Sequence, residues 1–271
     1  MKNKERKMAD RNGPVAVIDS GVGGVSVLRE LISLMPNENF IFFGDSANAP
    51  YGEKSAEQVR KLTFDIAERL FALGAKALVV ACNTATAAAV RRLREAYPHV
   101  PIVGIEPAIK PAVLYGEQEL GKTDGSSTVL VMATPTTLEQ EKFERLVGEY
   151  RGRAQIIPLP CHDLARLIEK GDLDSPETEE YVRDLLTPYR GVDSVVLGCT
   201  HYPFALHLIE KNLPGTAVFD GACGTAREAK RRIDAAGLAA ERTETGKIEF
   251  FSSKSGETAD MYKNFLKIKI K

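Results

Sequence analysis

The sequence predicts an α/β fold of two similar parallel-sheet domains, related by a pseudo-twofold, with a candidate active site in the cleft between them. Short β-branched runs alternate with amphipathic stretches of helical period, which is typical of parallel sheets covered by helices. Two of these runs look like copies: residues 79–84 are Val-Val-Ala-Cys-Asn-Thr and residues 195–201 are Val-Val-Leu-Gly-Cys-Thr-His. The spacing repeats as well, since 63 residues separate Asp19 from Cys82 and 65 separate Thr134 from Cys199.

The length and composition indicate a globular protein of one large or two medium domains. The chain has 271 residues, of which 44% are hydrophobic and 27% are charged. A net charge of −1 gives no general attraction to nucleic acid or to an anionic membrane. No apolar stretch is long enough to span a bilayer. The first twelve residues are polar, of mixed charge and without the apolar core of a secretory signal, so we expect a disordered tail over residues 1–12.

The first half opens with an apolar strand over residues 15–19, a glycine-rich turn over 20–24 and a helix with an apolar stripe. A strand, a glycine-rich turn and a helix N-terminus in this order can bind an anion. However, the glycines lack the spacing of a dinucleotide-binding motif, and no phosphate-binding Gly-Lys-Ser/Thr follows. We therefore assign no nucleotide. The further elements of this half are a strand over 40–45, a loop over 46–52, a helix that a capping box opens at 55–58 and Gly74 ends, the first cysteine strand over 77–82, a helix over 84–94 and a strand over 100–105.

The second half repeats this plan. After a strand over residues 128–133, Thr134 is placed to cap a helix and Pro135 to occupy its first position. The further elements are a helix with a stripe at 143, 146, 147 and 150, a strand over 155–159, a short helix to 169–171, a helix from 175, the second cysteine strand, a helix over 203–211, a strand over 217–220, a helix over 225–236, a strand over 247–251 and a helix over 258–267. We expect these last elements to return to the first half, so that residues 13–107 plus 220–271 form one domain and residues 108–219 the other.

The chain has four cysteines, Cys82, Cys161, Cys199 and Cys223, and none has a partner at zinc-ligand spacing. A lone cysteine after an apolar run is most often a small buried hydrophobe. Two cysteines in matching strand–Cys–Thr contexts instead predict two thiols that face each other across one cleft. Such a pair suits a reaction in which a thiolate removes a proton from one face of a carbon and a thiol returns one to the other face.

Neighbouring residues fit this chemistry and also have plainer interpretations. A helix is predicted after each cysteine, and its N-terminus would favour the thiolate form. His201 lies two residues after Cys199 and Asp19 ends an adjacent strand, although a histidine alone is often structural and Asp19 fits a simple turn. Asn83, Thr84 and Thr200 are either ordinary caps or carboxylate binders. The remaining histidines, His99, His162 and His207, show no partner pattern and are expected at the surface.

Five stretches in order along the chain closely resemble glutamate racemases, and the resemblance covers nearly all residues after Pro14. These stretches are residues 18–30 (Ile-Asp-Ser-Gly-Val-Gly-Gly-Val-Ser-Val-Leu-Arg-Glu), 44–47 (Gly-Asp-Ser-Ala), 50–52 (Pro-Tyr-Gly), 81–87 (Ala-Cys-Asn-Thr-Ala-Thr-Ala) and 197–203 (Leu-Gly-Cys-Thr-His-Tyr-Pro). The resemblance implies a cofactor-independent, metal-free, two-base racemase that interconverts L- and D-glutamate in the cytoplasm. It also implies D-glutamate supply for peptidoglycan synthesis and a homodimer.

The resemblance also assigns roles to residues. It implies that Cys82 acts on the D-enantiomer and Cys199 on the L-enantiomer, with Asp19 and His201 as auxiliary acid–base residues. Asp45 and Glu169 are further acidic residues at or near the site. The positions that match substrate-binding elements are Ser20, Pro50, Tyr51, Gly52, Asn83, Thr84, Thr134, Thr137 and Thr200.

The chain departs from the family pattern at four notable positions. Asn48 stands where arginine is common, Ala133 where glycine is usual, His162 where proline is usual, and Cys223 where an acidic residue is frequent. None of these changes removes a proton-transfer group. Two other functions stay open, a sister racemase for aspartate or another acidic substrate and a non-catalytic binding protein on the same scaffold. A metal hydrolase is disfavoured because the histidines lack ligand spacing.

Overall fold

The computed structural model describes residues 10–254, 256, 258–268 and 270, and these form nine strands and eleven α-helices. The strands are β1 (Val15–Asp19), β2 (Phe40–Gly44), β3 (Ala77–Val80), β4 (Ile102–Gly104), β5 (Thr128–Ala133), β6 (Gln155–Pro160), β7 (Ser194–Leu197), β8 (Ala217–Asp220) and β9 (Ile248–Ser252). The helices are α1 (Val25–Leu34), α2 (Ala56–Ala72), α3 (Asn83–Ala96), α4 (Ile109–Gln118), α5 (Pro135–Leu138), α6 (Glu141–Gly148), α7 (Leu164–Glu169), α8 (Pro176–Leu186), α9 (Leu206–Asn212), α10 (Ala222–Ala235) and α11 (Thr258–Lys267).

The strands form two sheets, and every pairing in them is parallel, which confirms the predicted fold class. The first sheet has the order β4-β3-β1-β2-β9 and the second the order β6-β5-β7-β8. In each sheet the strand that opens the half lies between two others, β1 between β3 and β2 and β5 between β6 and β7. The cysteines follow β3 and β7, and each of these strands pairs with the opening strand of its own sheet. The internal repeat therefore places both cysteines at the carboxyl end of a strand beside an opening strand.

The apolar runs become central strands because both of their faces are covered. All five residues of β1 are buried, and so are all four of β3 and of β7. The largest cluster of buried apolar side chains draws on both sheets, with Val17 from the first and Val195 from the second. Helices α2 and α3 cover the other face of the first sheet, and α4 and α6 that of the second. Because one core joins the sheets, the cleft between their strand ends has a fixed base.

Local signals for helix starts are confirmed. Ser55 and Gln58 form the predicted capping box of α2, and the Thr134 hydroxyl accepts from the Thr137 N–H with Pro135 at the first position of α5. The helix predicted over residues 225–236 starts earlier, because the Asp220 carboxylate accepts from the backbone N–H of Ala222 at 2.7 Å.

Two predictions are wrong in detail. The helix predicted over residues 203–211 is split into a 3₁₀ turn at Tyr202–Ala205 and α9, so no α-helix begins directly after Cys199. Residues 10–12 are not a disordered tail end but form a turn in which Lys76 and Arg242 donate to the backbone carbonyls of Arg11 and Asn12. The rest of the predicted tail, residues 1–9, lies outside the described residues.

Candidate active site

One cavity of about 970 Å³ opens between the carboxyl ends of the two sheets, where ligands bind in open α/β folds. Cys82 and Cys199 both line it. Of the fifteen predicted site residues, thirteen line the wall, while Asp19 and Asp45 lie behind it. These thirteen are Ser20, Pro50, Tyr51, Gly52, Cys82, Asn83, Thr84, Thr134, Thr137, Glu169, Cys199, Thr200 and His201. The structure therefore brings together residues that lie far apart in the sequence.

Cys82 is a buried thiol at the start of α3. It occupies the N-cap position, its sulfur accepts from the Ala85 N–H at 3.5 Å, and its S–H points to the Ser20 hydroxyl at 3.8 Å. Burial, reinforced by the negative charge of Asp19, raises the pKa of Cys82 to about 12 despite these two hydrogen bonds. The helix N-terminus was expected to favour the thiolate, but desolvation outweighs it here. Cys82 is a thiol at neutral pH.

Cys199 lies in a different environment, because an imidazole is within its reach. Its sulfur lies 3.6 Å from Nδ1 of His201, and Nε2 of the same ring lies 2.7 Å from Oε1 of Glu169. Burial alone would lower the pKa of His201, but the contacts with Cys199 and Glu169 raise it well above its ordinary value. His201 is therefore held as an imidazolium between a sulfur and a carboxylate.

Glu169 connects this group to the other half of the molecule. Its Oε1 also accepts from the backbone N–H of Val22, in the turn after β1, at 2.8 Å. Burial would raise the pKa of Glu169, but its bonds to His201 and Val22 lower it, so the carboxylate stays charged. A Cβ on Gly21 would lie 1.9 Å from this carboxylate, and only glycine leaves room for it.

Asp19 is buried behind the cavity wall and contacts the Cys199 side of the cleft. Its carboxylate accepts from the Gly21 N–H at 3.1 Å and from the Thr200 hydroxyl at 3.3 Å. Burial raises the pKa of Asp19, although His201 and the backbone N–H groups of Gly21 and Gly24 oppose this. The Asp19 side chain thus links β1 to the residue that follows Cys199, while its charge acts on Cys82 through space.

The opposite wall is closed by neutral hydroxyl contacts. Thr137 lies at the centre, 3.3 Å from the Thr84 hydroxyl and 2.9 Å from that of Thr134. Thr136 donates to the carbonyl of Gly52, so α5 of the second sheet meets the loop that follows β2. Asn83 lies beside this cluster, nine-tenths buried, with its side-chain oxygen unpaired among the described residues.

The wall also includes residues that sequence reasoning missed. Ser46 and Ala49 lie in the predicted loop, and Arg166 lies one helical turn before Glu169. The other missed wall residues are Ala165, Gly198, Lys254, Asp260, Met261 and Asn264. The last four come from the loop after β9 and from α11, which no local motif associates with the cysteine strands.

The four departures from the family pattern lie around the site without changing the two thiols. Asn48 donates to the Asp45 carboxylate at 2.9 Å. Ala133 packs against Gly198. A Cβ added to Gly198 would lie 3.0 Å from the Cβ of Ala133. His162 is exposed, as predicted, and so are His99 and His207. Cys223 is exposed near the start of α10.

The described part of the chain holds neither a metal-binding cluster nor a membrane-spanning helix. No group of three or more His, Cys, Asp or Glu side chains in this part is arranged to hold a metal ion. No helix within the same residues is long and apolar enough to cross a membrane.

Comparisons with known proteins agree with one another. Residues 15–229 match the Asp/Glu/Hydantoin racemase family. A glutamate racemase of Clostridium perfringens is 44% identical over 264 residues, which are 96% of this chain and 98% of that protein.

Solved structures give the same result. A Thermus thermophilus glutamate racemase in complex with beta-chloro-D-alanine has a TM-score of 0.78 and 32% identity, covering 97% of this chain and 96% of that one. An Escherichia coli glutamate racemase in complex with L-glutamate and an activator has a TM-score of 0.77 and 27% identity, covering 93% and 95%.

Proposed function

The chain belongs to the Asp/Glu/Hydantoin racemase family, among its glutamate racemases, and we propose that it interconverts L- and D-glutamate by proton transfer between Cys82 and Cys199. As an amino-acid racemase it is an isomerase. The observation that carries the two-base proposal is that both thiols line one cavity from corresponding strand ends of the two sheets. Sulfurs on opposite sides of one carbon satisfy the requirement that its hydrogen leaves from one face and returns to the other.

In the L-to-D direction, the Cys199 thiolate takes the α-proton and becomes a thiol. The electron pair of the broken C–H bond stays on the α-carbon and its carboxylate until Cys82 gives its own proton to the opposite face. Cys82 is then the thiolate, so atoms and charge balance. The reverse direction uses the same steps with the roles exchanged, and each transfer is general acid–base catalysis by a positioned group.

The two sulfurs lie in different ionic environments. The His201 imidazolium, which Glu169 keeps protonated, lies 3.6 Å from the Cys199 sulfur, on the side of the cleft where the proposed mechanism places negative charge in the L-to-D direction. Cys82 is a thiol at rest, since its pKa is raised to about 12 by burial. Once it has donated its proton, Cys82 is a strong base, which suits a weakly acidic α-hydrogen. Ser20 is positioned to donate to that thiolate.

The wall offers the polar groups that a glutamate needs. The Asn83 side-chain oxygen, which has no hydrogen-bond partner among the described residues, would accept from the substrate ammonium. The hydroxyls of Ser20, Thr84, Thr134, Thr137 and Thr200 and the N-terminus of α3 are donors for carboxylates. We propose that these groups, with Pro50, Tyr51 and Gly52, form the substrate site.

The wider setting is also part of the proposal. The family resemblance supports D-glutamate supply for peptidoglycan precursors, a cytoplasmic location and a homodimer.

The test is the loss of circular-dichroism signal from pure L-glutamate and pure D-glutamate with the purified chain. We expect both signals to decay to zero, because enantiomers have equal free energy in water. In D₂O the product should carry deuterium at the α-carbon. No decay from either enantiomer would contradict the proposal. Faster decay with aspartate than with glutamate would identify the sister racemase instead.

A further inference from the structure

Asp45 is an acidic residue next to the site whose purpose the two-base chemistry leaves unexplained. It directly follows β2, is only 1% exposed and does not line the cavity. Its backbone N–H donates to the Asp19 carbonyl at 2.9 Å, which fixes it to the end of β1. A carboxylate buried this deeply needs hydrogen-bond partners, and those partners indicate what it does.

Both carboxylate oxygens of Asp45 are used within its own loop. The Tyr51 hydroxyl donates to Oδ2 at 2.6 Å, and the Asn48 amide donates to Oδ1 at 2.9 Å. Among the described residues Asp45 forms no ion pair. Both oxygens therefore accept from neutral donors, and the bond from Tyr51 is short for a hydroxyl donor.

Tyr51 connects Asp45 to the cavity wall. Its side chain is buried, and Pro50, Tyr51 and Gly52 together line the wall. On the far side, the Gly52 carbonyl accepts from Thr136, and Gly52 lies against Thr134, where a Cβ would approach within 3.2 Å. This wall segment is thus held on the first sheet by Asp45 and on the second by α5.

We propose that Asp45 is a positioning residue that clamps Tyr51 and thereby fixes the wall segment 50–52 in its substrate-binding shape before substrate arrives. The proposal rests on the proposed function, because that function makes the cavity a glutamate site. Fixing a wall in advance removes an ordering cost from binding. The clamp is separate from the two thiols, so it acts on affinity rather than on proton transfer.

The experiment compares Asp45→Ala, Asp45→Asn and Tyr51→Phe with the wild type and with the double variant that joins Asp45→Ala to Tyr51→Phe. Asp45→Ala and Tyr51→Phe should each raise KM by about tenfold and keep kcat within about threefold, as expected when uniform binding is lost. Asp45→Asn keeps a side-chain oxygen that accepts from Tyr51. Its new NH₂ group can donate to the Asn48 side-chain oxygen once the Asn48 amide has flipped, so KM should rise by less than about threefold. The double variant should match the single ones, because both remove one clamp.

Glu53→Ala is the matched control, since Glu53 is an acid in the same loop that does not line the cavity. It should leave KM, kcat and the melting temperature unchanged. Each variant is also titrated with D-glutamate by calorimetry, which gives a Kd without requiring turnover. Variants are compared only when their circular-dichroism spectra match the wild type.

The outcomes separate this proposal from the function itself. Unchanged KM and Kd in a folded Asp45→Ala variant would overturn the clamp while leaving the racemase intact. A fall in kcat with unchanged KM would overturn it too, as would additive effects in the double variant. If Asp45→Ala does not fold, Tyr51→Phe tests the same clamp by removing only the donated hydrogen bond.

A wild type that binds glutamate without racemising it would contradict the function, and the Kd values would still test the clamp. A wild type that binds no glutamate would overturn both.

Discussion

The strand ends that carry Cys82 and Cys199 hold corresponding places in two parallel sheets, yet their surroundings differ. Cys82 caps a regular α-helix and is buried, and its hydrogen-bond partners in the described part of the chain are neutral. Cys199 is partly exposed, precedes a 3₁₀ turn and faces an imidazolium. The internal repeat thus sets where the sulfurs lie, and residues outside the repeated motif set which charged groups surround each of them.

This difference suits a reaction that needs one thiolate and one thiol at the same time. Two identical environments would leave the proton distribution undecided. Here the charge comes from Glu169 on α7, which binds His201, whereas Cys82 has Asp19 nearby as a repelling charge. Because enantiomers are equal in free energy, this asymmetry cannot favour one direction in kcat/KM. The asymmetry appears instead in the protonation of Cys82 and in which of the two cysteines reacts faster with a probe.

The most severe way to break the comparison is to remove each sulfur in turn. We expect Cys82→Ala and Cys199→Ala each to reduce racemisation by about 10³-fold or more, in both directions, since each variant lacks the acid or base for one face. The measurement is the circular-dichroism decay with each pure enantiomer.

The chain offers matched controls in its other two cysteines. Cys161 is buried and Cys223 exposed, and neither lines the cavity. Cys161→Ala and Cys223→Ala should remain active. Near-normal turnover in either Cys82→Ala or Cys199→Ala would show that the two-base assignment is wrong.

The sequence predicts the strands and the cysteine positions because both depend on local pattern. The buried runs of β1, β3 and β7 are apolar and β-branched, and the nearly equal spacing of Asp19–Cys82 and Thr134–Cys199 corresponds to neighbouring strands in each sheet. The caps at Ser55 and Thr134 are equally local signals. The roles of single residues are not local signals in this sense, and they follow from the family resemblance.

What the sequence does not predict depends on contacts between distant segments. The charge state of Cys82 follows from burial, which the helix N-terminus argument ignores. The 3₁₀ turn after Cys199 replaces an expected α-helix, with Pro203, which has no N–H to donate, inside it. Lys254 and Asn264 reach the cavity from the far end of the chain, and only tertiary packing brings them there.

A chemical probe sharpens the comparison by reading each sulfur in the intact protein. With iodoacetamide at about pH 8 and peptide mass spectrometry, we expect Cys199 to be alkylated about a hundredfold faster than Cys82. The thiolate is the reactive form, and a pKa of about 12 leaves almost none of it on Cys82. Below that pKa the thiolate fraction rises about tenfold per pH unit, so the Cys82 rate should climb steadily up to about pH 10.

Cys161 is the control for the probe, because burial also raises its pKa to about 12 while it lies outside the cavity. It should react no faster than Cys82. Equal alkylation rates for Cys82 and Cys199 at the same pH would contradict the assigned asymmetry, whatever the racemisation assays give.

The mildest change targets the source of the asymmetry, the Glu169 carboxylate. Glu169→Gln replaces the charged acceptor of His201 by a neutral amide, so the pKa of His201 should fall and the imidazolium should be lost. We expect kcat/KM to decrease about tenfold to a hundredfold, equally for both enantiomers, the effect of losing a charge-assisted hydrogen bond of about 1.5–3 kcal/mol. Alkylation of Cys199 should slow while that of Cys82 stays the same.

Asp174→Asn is the matched control, because Asp174 also pairs with a histidine, His207, at 2.8 Å. This pair is exposed to solvent and therefore weak. It should change neither kcat/KM nor the melting temperature.

In Glu169→Gln the decrease in melting temperature relative to the wild type should depend on pH. The raised pKa of His201 stabilises the fold fully below 6.5 and progressively less as pH rises towards that pKa, whereas the lowered pKa of Glu169 stabilises it fully above 4.5 and less as pH falls. The difference from wild type should therefore be greatest between about pH 4.5 and 6.5. A difference independent of pH would mean that Glu169 acts through packing, and the charge asymmetry would need another source.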